Sequence, residues 1–322
     1  MSTSTPRLSV GLPVYNGERY LGEALDALLG QTYRDFELII SDNASTDATR
    51  QICARYAERD DRIRYFRQPT NTGAAENHNF VFRQARGELF KWASHDDLYG
   101  RRLLEKCVAA LDDDPQVVLA HAWQALIGAE GEVLEQIDYP LATDAPTAAE
   151  RFASMLFTVG GDDFYGVIRS DVLRRTRLQE SFHHADRVIV ADLALQGRFH
   201  QVPEVLYFRR DHPGRAERAQ PSMRARCANL DPRRANRIRH PRARLLAEYI
   251  WGFVAAVRRA PITPPERRRC YRQLARWLTD RAIPARSRRG APTRMEDRHV
   301  GTVAERPAVR AFADIAGQAG GS

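Results

Sequence analysis

Leu89-Phe90-Lys91-Trp92-Ala93-Ser94-His95-Asp96-Asp97 is a short apolar run that delivers two adjacent carboxylates at its end. Two earlier runs end in polar elbows of the same kind. Leu8 to Leu12 leads into Pro13-Val14-Tyr15-Asn16, and Phe36 to Ile40 leads into Ser41-Asp42-Asn43-Ala44-Ser45. Apolar runs of this length bounded by turn residues read as buried strands. Between them stand segments of helical spacing. Leu21, Leu25, Leu28 and Leu29 follow Asn16-Gly17, and Ile52, Cys53 and Tyr56 follow the N-cap candidates Ser45, Thr46 and Asp47. Strand alternating with helix implies a parallel sheet with crossover helices. Open sheets of that class bind ligands in the crevice at the carboxyl ends of their strands. Three polar elbows at three such ends describe a site for a nucleotide and a metal ion.

The pattern continues along the chain. Ile63 to Phe66 reads as a strand, and Gly73 to Arg86 as a helix ended by Gly87. A helix is expected from Arg101 to Leu111, closed by Asp112-Asp113-Asp114-Pro115. Val117 to Trp123 and Val133 to Ile137 read as strands joined by a turn at Gly128 to Gly131, and Thr147 to Phe157 as a helix. Asp163 to Ile168, Arg198 to Val202 and Val205 to Arg209 read as further strands, with a helix from Asp186 to Gln196 among them. Beyond these, Leu245, Leu246, Tyr249, Ile250, Phe253, Val254 and Val257 make a helical stripe over 242–258, and 266–281 reads as a second amphipathic helix. Helices of this length are marginal alone in water, so both should pack on the domain, on a second subunit or on a membrane face. Residues 284–322 are rich in Gly, Ala, Arg and Pro, and disorder is expected there.

The 322 residues carry a net charge of +8, and with lysine present at Lys91 and Lys106 alone, arginine supplies nearly all the positive charge. The arginines become dense from Arg209 onward. A basic surface attracts anionic lipid, nucleic acid or a phosphate-bearing acceptor. No nucleic-acid motif accompanies it, so nucleic acid is not an expected partner. No run of 18 apolar residues occurs, and Met1 to Arg7 lacks the apolar core of a signal peptide. Cys53, Cys107, Cys227 and Cys270 are widely spaced. They read as reduced thiols of a cytoplasmic protein, one that could still associate with a membrane.

Over its first 210 or so residues the chain resembles a family 2 glycosyltransferase. The matching elements are Pro13-Val14-Tyr15-Asn16, Gln31-Thr32-Tyr33 with Phe36-Glu37, Asp42-Asn43-Ala44-Ser45-Thr46-Asp47, Asn71-Thr72-Gly73, and Gly87-Glu88 leading into Ser94-His95-Asp96-Asp97. Each is weak alone, but five in order at successive strand ends are specific. The resemblance implies an α/β GT-A (Rossmann-like) fold, a mostly parallel sheet flanked by helices, here with a C-terminal helical extension. The expected division is a catalytic domain over 1–215, an arginine-rich helical extension over 216–283, and the tail 284–322. Within the catalytic domain, 1–100 would bind nucleotide and 101–215 the acceptor.

The resemblance also implies roles. Asp42 would accept the ring N–H of uracil or thymine, with N-capping as its alternative. Pro13, Tyr15, Asn16, Asn71 and Gly73 would line the nucleotide site, and Tyr15 could stack on the base. Against the family pattern Asp-x-Asp-Asp this chain reads Ser94-His95-Asp96-Asp97. Asp96 corresponds to the direct ligand of Mn²⁺ or Mg²⁺, which would neutralise a leaving diphosphate. Ser94 stands where the pattern has an aspartate, at a position that meets ribose or a metal-bound water, and His95 could meet the diphosphate. His212 would reach the diphosphate or the metal. Asp186 would be the general base, with helix capping as its alternative and Asp192 as the lesser candidate. Asp162 and Asp163 lie where acceptor-site loops are found.

The reading is a metal-dependent, inverting transferase that moves a sugar from a UDP- or dTDP-sugar to an acceptor hydroxyl. The acceptor is a glycan, a lipid-linked precursor or a small molecule. Its rivals are a non-catalytic nucleotide-sugar-binding or scaffold protein and a sugar nucleotidyltransferase. The latter usually carries a Gly-rich loop with an Arg-Lys signature, and here the first elbow is Pro13-Val14-Tyr15-Asn16-Gly17.

Overall fold

A computed structural model describes residues 5–137, 141–158, 162–220 and 222–282. The expectation for 284–322 lies outside the described residues. The strands are β1 (Leu8–Val14), β2 (Phe36–Asp42), β3 (Ile63–Arg67), β4 (Leu89–Trp92), β5 (Leu98–Tyr99), β6 (Val117–Ile127), β7 (Val133–Ile137), β8 (Val167–Arg169) and β9 (Arg198–Arg210). The helices are α1 (Leu21–Leu29), α2 (Thr49–Ala57), α3 (Ala74–Arg83), α4 (Leu103–Asp113), α5 (Ala148–Phe157), α6 (Ser170–Arg174), α7 (Ala185–Gln196), α8 (Ala216–Ala219), α9 (Met223–Leu230), α10 (Arg242–Arg259) and α11 (Pro264–Ala282).

The nine strands among the described residues form one sheet in the order β3-β2-β1-β4-β8-β6-β9-β5, with β7 hung on β6. β3, β2, β1 and β4 run parallel, so their carboxyl ends open on one side. β8 reverses direction between β4 and β6, and β6 and β9 are again parallel. Side chains alternate across the sheet. Leu8, Val10 and Leu12 point to the core under α1, α2 and α4, whereas Phe90 and Trp92 point to the core under α5 and α7.

Three expectations are corrected here. The two late strands are one: β9 is continuous through Pro203 because β6 skips register there, pairing Ala122 with Val202 and Trp123 with Val205. The extra residues absorb the proline, which has no N–H for the ladder. Residues 163–166 are not strand. A 3₁₀ turn at Asp162–Tyr165 precedes β8, and it lets two adjacent aromatics face different cores. Phe164 stacks on Trp92 at 4.5 Å and Tyr165 on Tyr207 at 5.7 Å. Finally, Ser45 and Thr46 do not cap α2, because their loop is stitched to the first elbow instead. Thr46 N donates to Asn16 Oδ1 and Asn16 N donates to Ser45 Oγ, both at 2.9 Å.

The late helices belong to the main core. Phe253 of α10 packs edge-on against Phe152 of α5 and Trp277 of α11. Arg259 of α10 donates to Asp192 of α7 at 2.8 Å, and Glu266 of α11 accepts from Ala148 N at 3.0 Å. Of the three partners open to these helices, α5 and α7 of the same chain take their apolar faces.

Candidate functional site

A cleft of about 640 Å³ opens at the carboxyl ends of β1 and β4, lined by Pro13, Tyr15 and Asn16 on one side and by Ser94, His95 and Asp96 on the other. That volume is within the range of small-ligand sites. Asn71 and the start of α3 form its floor, and Tyr165, His212 and Arg215 close the far wall.

The elbow 94–97 is held from every side. Ser94 Oγ donates to Asp96 Oδ1, and Asp96 Oδ2 lies 2.9 Å from His212 Nε2. Asp97 is buried and points away from the cleft, accepting from the Tyr207 hydroxyl and from Arg210 N at 2.8 Å. Arg210, itself wholly buried, donates to Asp96 O at 2.9 Å, Ala129 O at 2.8 Å and Glu23 at 2.7 Å. Burial alone would raise the Asp96 carboxyl, but His95, His212, Ser94 and Arg215 together hold it well below the usual carboxylate range. Asp97 goes the other way, pushed up to about 7 by burial and by the charge of Asp96. The two adjacent carboxylates therefore have different jobs: Asp96 faces the cleft as an anion, and Asp97 anchors the elbow.

The facing donors of Asp96 and His212 fit a hard divalent cation that takes its remaining oxygen ligands from a diphosphate and water. Among the described residues no group of three or more His, Cys, Asp or Glu could hold a metal by protein groups alone.

Residues 9–155 match the family model described as glycosyl transferase family 2. Over that segment, which is less than half of the chain, the sequence is similar to this family. An uncharacterized glycosyltransferase of Rickettsia typhi is 37% identical over 120 residues, covering 37% of this chain and 36% of the relative. Glycosyltransferase GlyG of Streptococcus pneumoniae is 32% identical over 115 residues, covering 35% and 38%. The chain spans little more than a third of these relatives. Among solved structures, residues 1–349 of S. aureus TarS in complex with UDP align with a TM-score of 0.60 at 18% identity, over 87% of this chain and 73% of that one. The same fragment with UDP-GlcNAc gives 0.53 at 19%, over 87% and 82%. These likenesses show that the fold is GT-A.

The cleft gathers Pro13, Tyr15, Asn16, Asn71, Ser94, His95, Asp96 and His212 from the residues singled out in the sequence. Tyr15 is 44% exposed at its mouth, and His95 packs over Gly17, where a Cβ would meet its ring at 2.7 Å. Asn71 is exposed, and its Oδ1 accepts from Asn43 Nδ2 at 3.0 Å and Gly73 N at 2.9 Å. Gly73, at φ +90°, is covered by the Leu230 carbonyl and is not exposed to the cleft.

Two residues stand outside the lining. Asp42 is completely buried beneath it, accepting from Ser45 N at 2.8 Å, the Tyr65 hydroxyl at 3.1 Å and Arg67 at 3.4 Å. Asp186 is half-buried in the first turn of α7, after His184 in the left-handed region at φ 62°. Asp192 is a structural anion, raised by burial and paired with Arg259. Asp162 and Asp163 fall in the 3₁₀ turn, and their side chains lie outside the described residues. Sequence reasoning missed Arg210, Arg215 and Tyr165. Arg210 and Arg215 flank His212 in an arginine-rich stretch, where nothing local sets them apart.

Proposed function

We propose that this chain transfers a sugar from a UDP- or dTDP-linked donor to an acceptor hydroxyl, with inversion at the anomeric carbon and the help of Mn²⁺ or Mg²⁺. The observation that carries the reading is the Asp96–His212 pair, two facing donors 2.9 Å apart in the wall of a nucleotide-sized cleft. The UDP and UDP-GlcNAc in the TarS structures support a uridine or similar donor. Inversion rests on the family resemblance. The four cysteines are free and buried, which supports a reducing, cytoplasmic setting. No described helix is long and apolar enough to cross a membrane.

In this reading Asp96 and His212 hold the cation, which when bound neutralises charge on the leaving diphosphate. Ser94 keeps Asp96 Oδ2 turned to the cleft by occupying Oδ1. Tyr15 and Pro13 flank the base, and Asn16, Asn71 and His95 meet the ribose and phosphates. Asp42 reads the base by exchanging one of its present donors for the ring N–H. Asp186 takes the proton of the acceptor hydroxyl, which requires the first turn of α7 to approach the bound acceptor. Asp162 and Asp163 contribute to the acceptor side.

Thermal shifts with UDP, dTDP and GDP, with and without Mn²⁺, test the reading. UDP and dTDP should stabilise the protein more with Mn²⁺ present, and Asp96→Ala should remove that gain and abolish transfer. Full transfer in EDTA would refute the role of the cation. Binding without metal-dependent donor hydrolysis would favour a non-catalytic nucleotide-sugar-binding protein.

A further inference from the structure

From Pro232 to Ala247 the chain carries six arginines and no acidic residue. Arg233, Arg237, Arg239, Arg242 and Arg244 face solvent. Between two of them Ile238 is 92% exposed, the most exposed large apolar side chain among the described residues. Arg244 donates to Arg239 O at 2.8 Å and to Glu248 at 2.9 Å, which pins this loop to the first turn of α10. Two turns further along the same helix face stands Trp251, half exposed, whereas the exposed Leu246 lies on another flank of the helix. Loop and helix together present isoleucine and tryptophan interleaved with arginine.

We propose that this face docks on an anionic lipid surface. Aliphatic and indole side chains among arginines are the composition of segments that lie in the headgroup region, the apolar groups entering and the guanidinium groups pairing with lipid phosphate. A second copy of this chain fits poorly, because a two-fold contact would set arginine against arginine on a chain already at +8. Nucleic acid would satisfy the arginines but leave Ile238 without an apolar partner. The face also begins at the cleft. Asn229 lines the cleft wall, and Leu230 packs its carbonyl on Gly73 immediately before the arginine segment. Docking there holds the cleft beside the lipid surface and suits an acceptor carried on a lipid. That consequence rests on the glycosyl-transfer reading, whereas the docking itself does not.

Sedimentation of the full chain with vesicles tests the docking without any turnover. Binding is expected to equimolar phosphatidylcholine–phosphatidylglycerol vesicles and not to pure phosphatidylcholine, and it should weaken with salt. Each arginine near the surface contributes about fivefold, so Arg237→Gln with Arg239→Gln should weaken binding roughly 25-fold. Ile238→Ser with Trp251→Ser should weaken it about tenfold or more by removing buried apolar area. All four side chains are exposed, so the thermal midpoint and UDP affinity should stay at the wild-type level. Equal binding to neutral vesicles, no binding, or wild-type binding by both double variants would overturn the proposal. Tighter binding to a mixed-sequence oligonucleotide that only the arginine variant loses would overturn it in favour of nucleic acid.

Discussion

Replacing Gly73 by alanine should cost the fold about 2–6 kcal/mol. Gly73 sits at φ +90°, where an added Cβ would lie 2.4 Å from the Leu230 carbonyl oxygen and 2.9 Å from Pro232 Cδ. The backbone conformation alone, at φ 90° and ψ 160°, costs an L-residue about 1–3 kcal/mol, and overpacking adds about 1–3 kcal/mol. The strain has no easy outlet. Gly73 is tied to Asn71 and Asn43 through its own N–H and carbonyl, and the nearest obstructing atoms are the backbone of Leu230. Relief means lifting α9 from α3, which carries Asn229 away from the cleft. Urea denaturation measures the loss, and hydrogen exchange over 223–235 shows where it falls. Gly22→Ala is the control. Its Cβ would meet nothing closer than the Tyr56 hydroxyl at 3.8 Å, and removing a helical glycine should stabilise by about 0.5–1 kcal/mol. Wild-type stability and exchange in Gly73→Ala would refute the packing of α9 on this glycine. Lost UDP binding at unchanged stability would give Gly73 the nucleotide contact that its motif suggests.

Three further outcomes follow from the structure. Asp186 lies in the first turn of α7 behind the N-cap His184 and is not itself the cap. Asp186→Asn should lower turnover by about 10²–10⁴-fold with donor binding little changed, because asparagine keeps the side chain's shape but accepts no proton; near wild-type turnover at saturating substrates would remove Asp186 as the base. Burial holds the Lys91 ammonium, under the rings of Tyr99 and Tyr207, down to about 8 from its usual 10.5. The unfolded chain then binds more protons than the folded one between those values, so stability should rise with pH across that window by up to about 3 kcal/mol. Lys91→Met should remove this rise, and identical pH slopes in the two proteins would contradict the depressed value. Arg259→Met leaves the buried Asp192 without its cation and should cost about 1–3 kcal/mol in chemical denaturation, whereas an unchanged midpoint would mean that the α7–α10 pair contributes nothing.

The strands and elbows of the first hundred residues were legible in the chain itself. An apolar run and the polar turn after it are neighbours, and their spacing alone fixes where Tyr15, Asn16, Ser94 and Asp96 emerge. The amphipathic stripes of α10 and α11 were legible for the same reason, but not their partner. Only the folded chain shows that Phe253 and Trp277 complete the core over α5, which makes these helices part of the domain's interior. The roles of the site's polar groups were also decided at long range. Arg210 reaches Glu23, 187 residues away, and Asp97 meets Tyr207 across 110 residues. Asp42 follows its strand as the motif requires, yet Tyr65 and Arg67 from the next strand draw it under the floor. A carboxylate's residue type says that it can bind a cation, a base or a helix end. Which of these it does depends on the charges and donors that the fold brings to it, and those come from distant parts of the sequence.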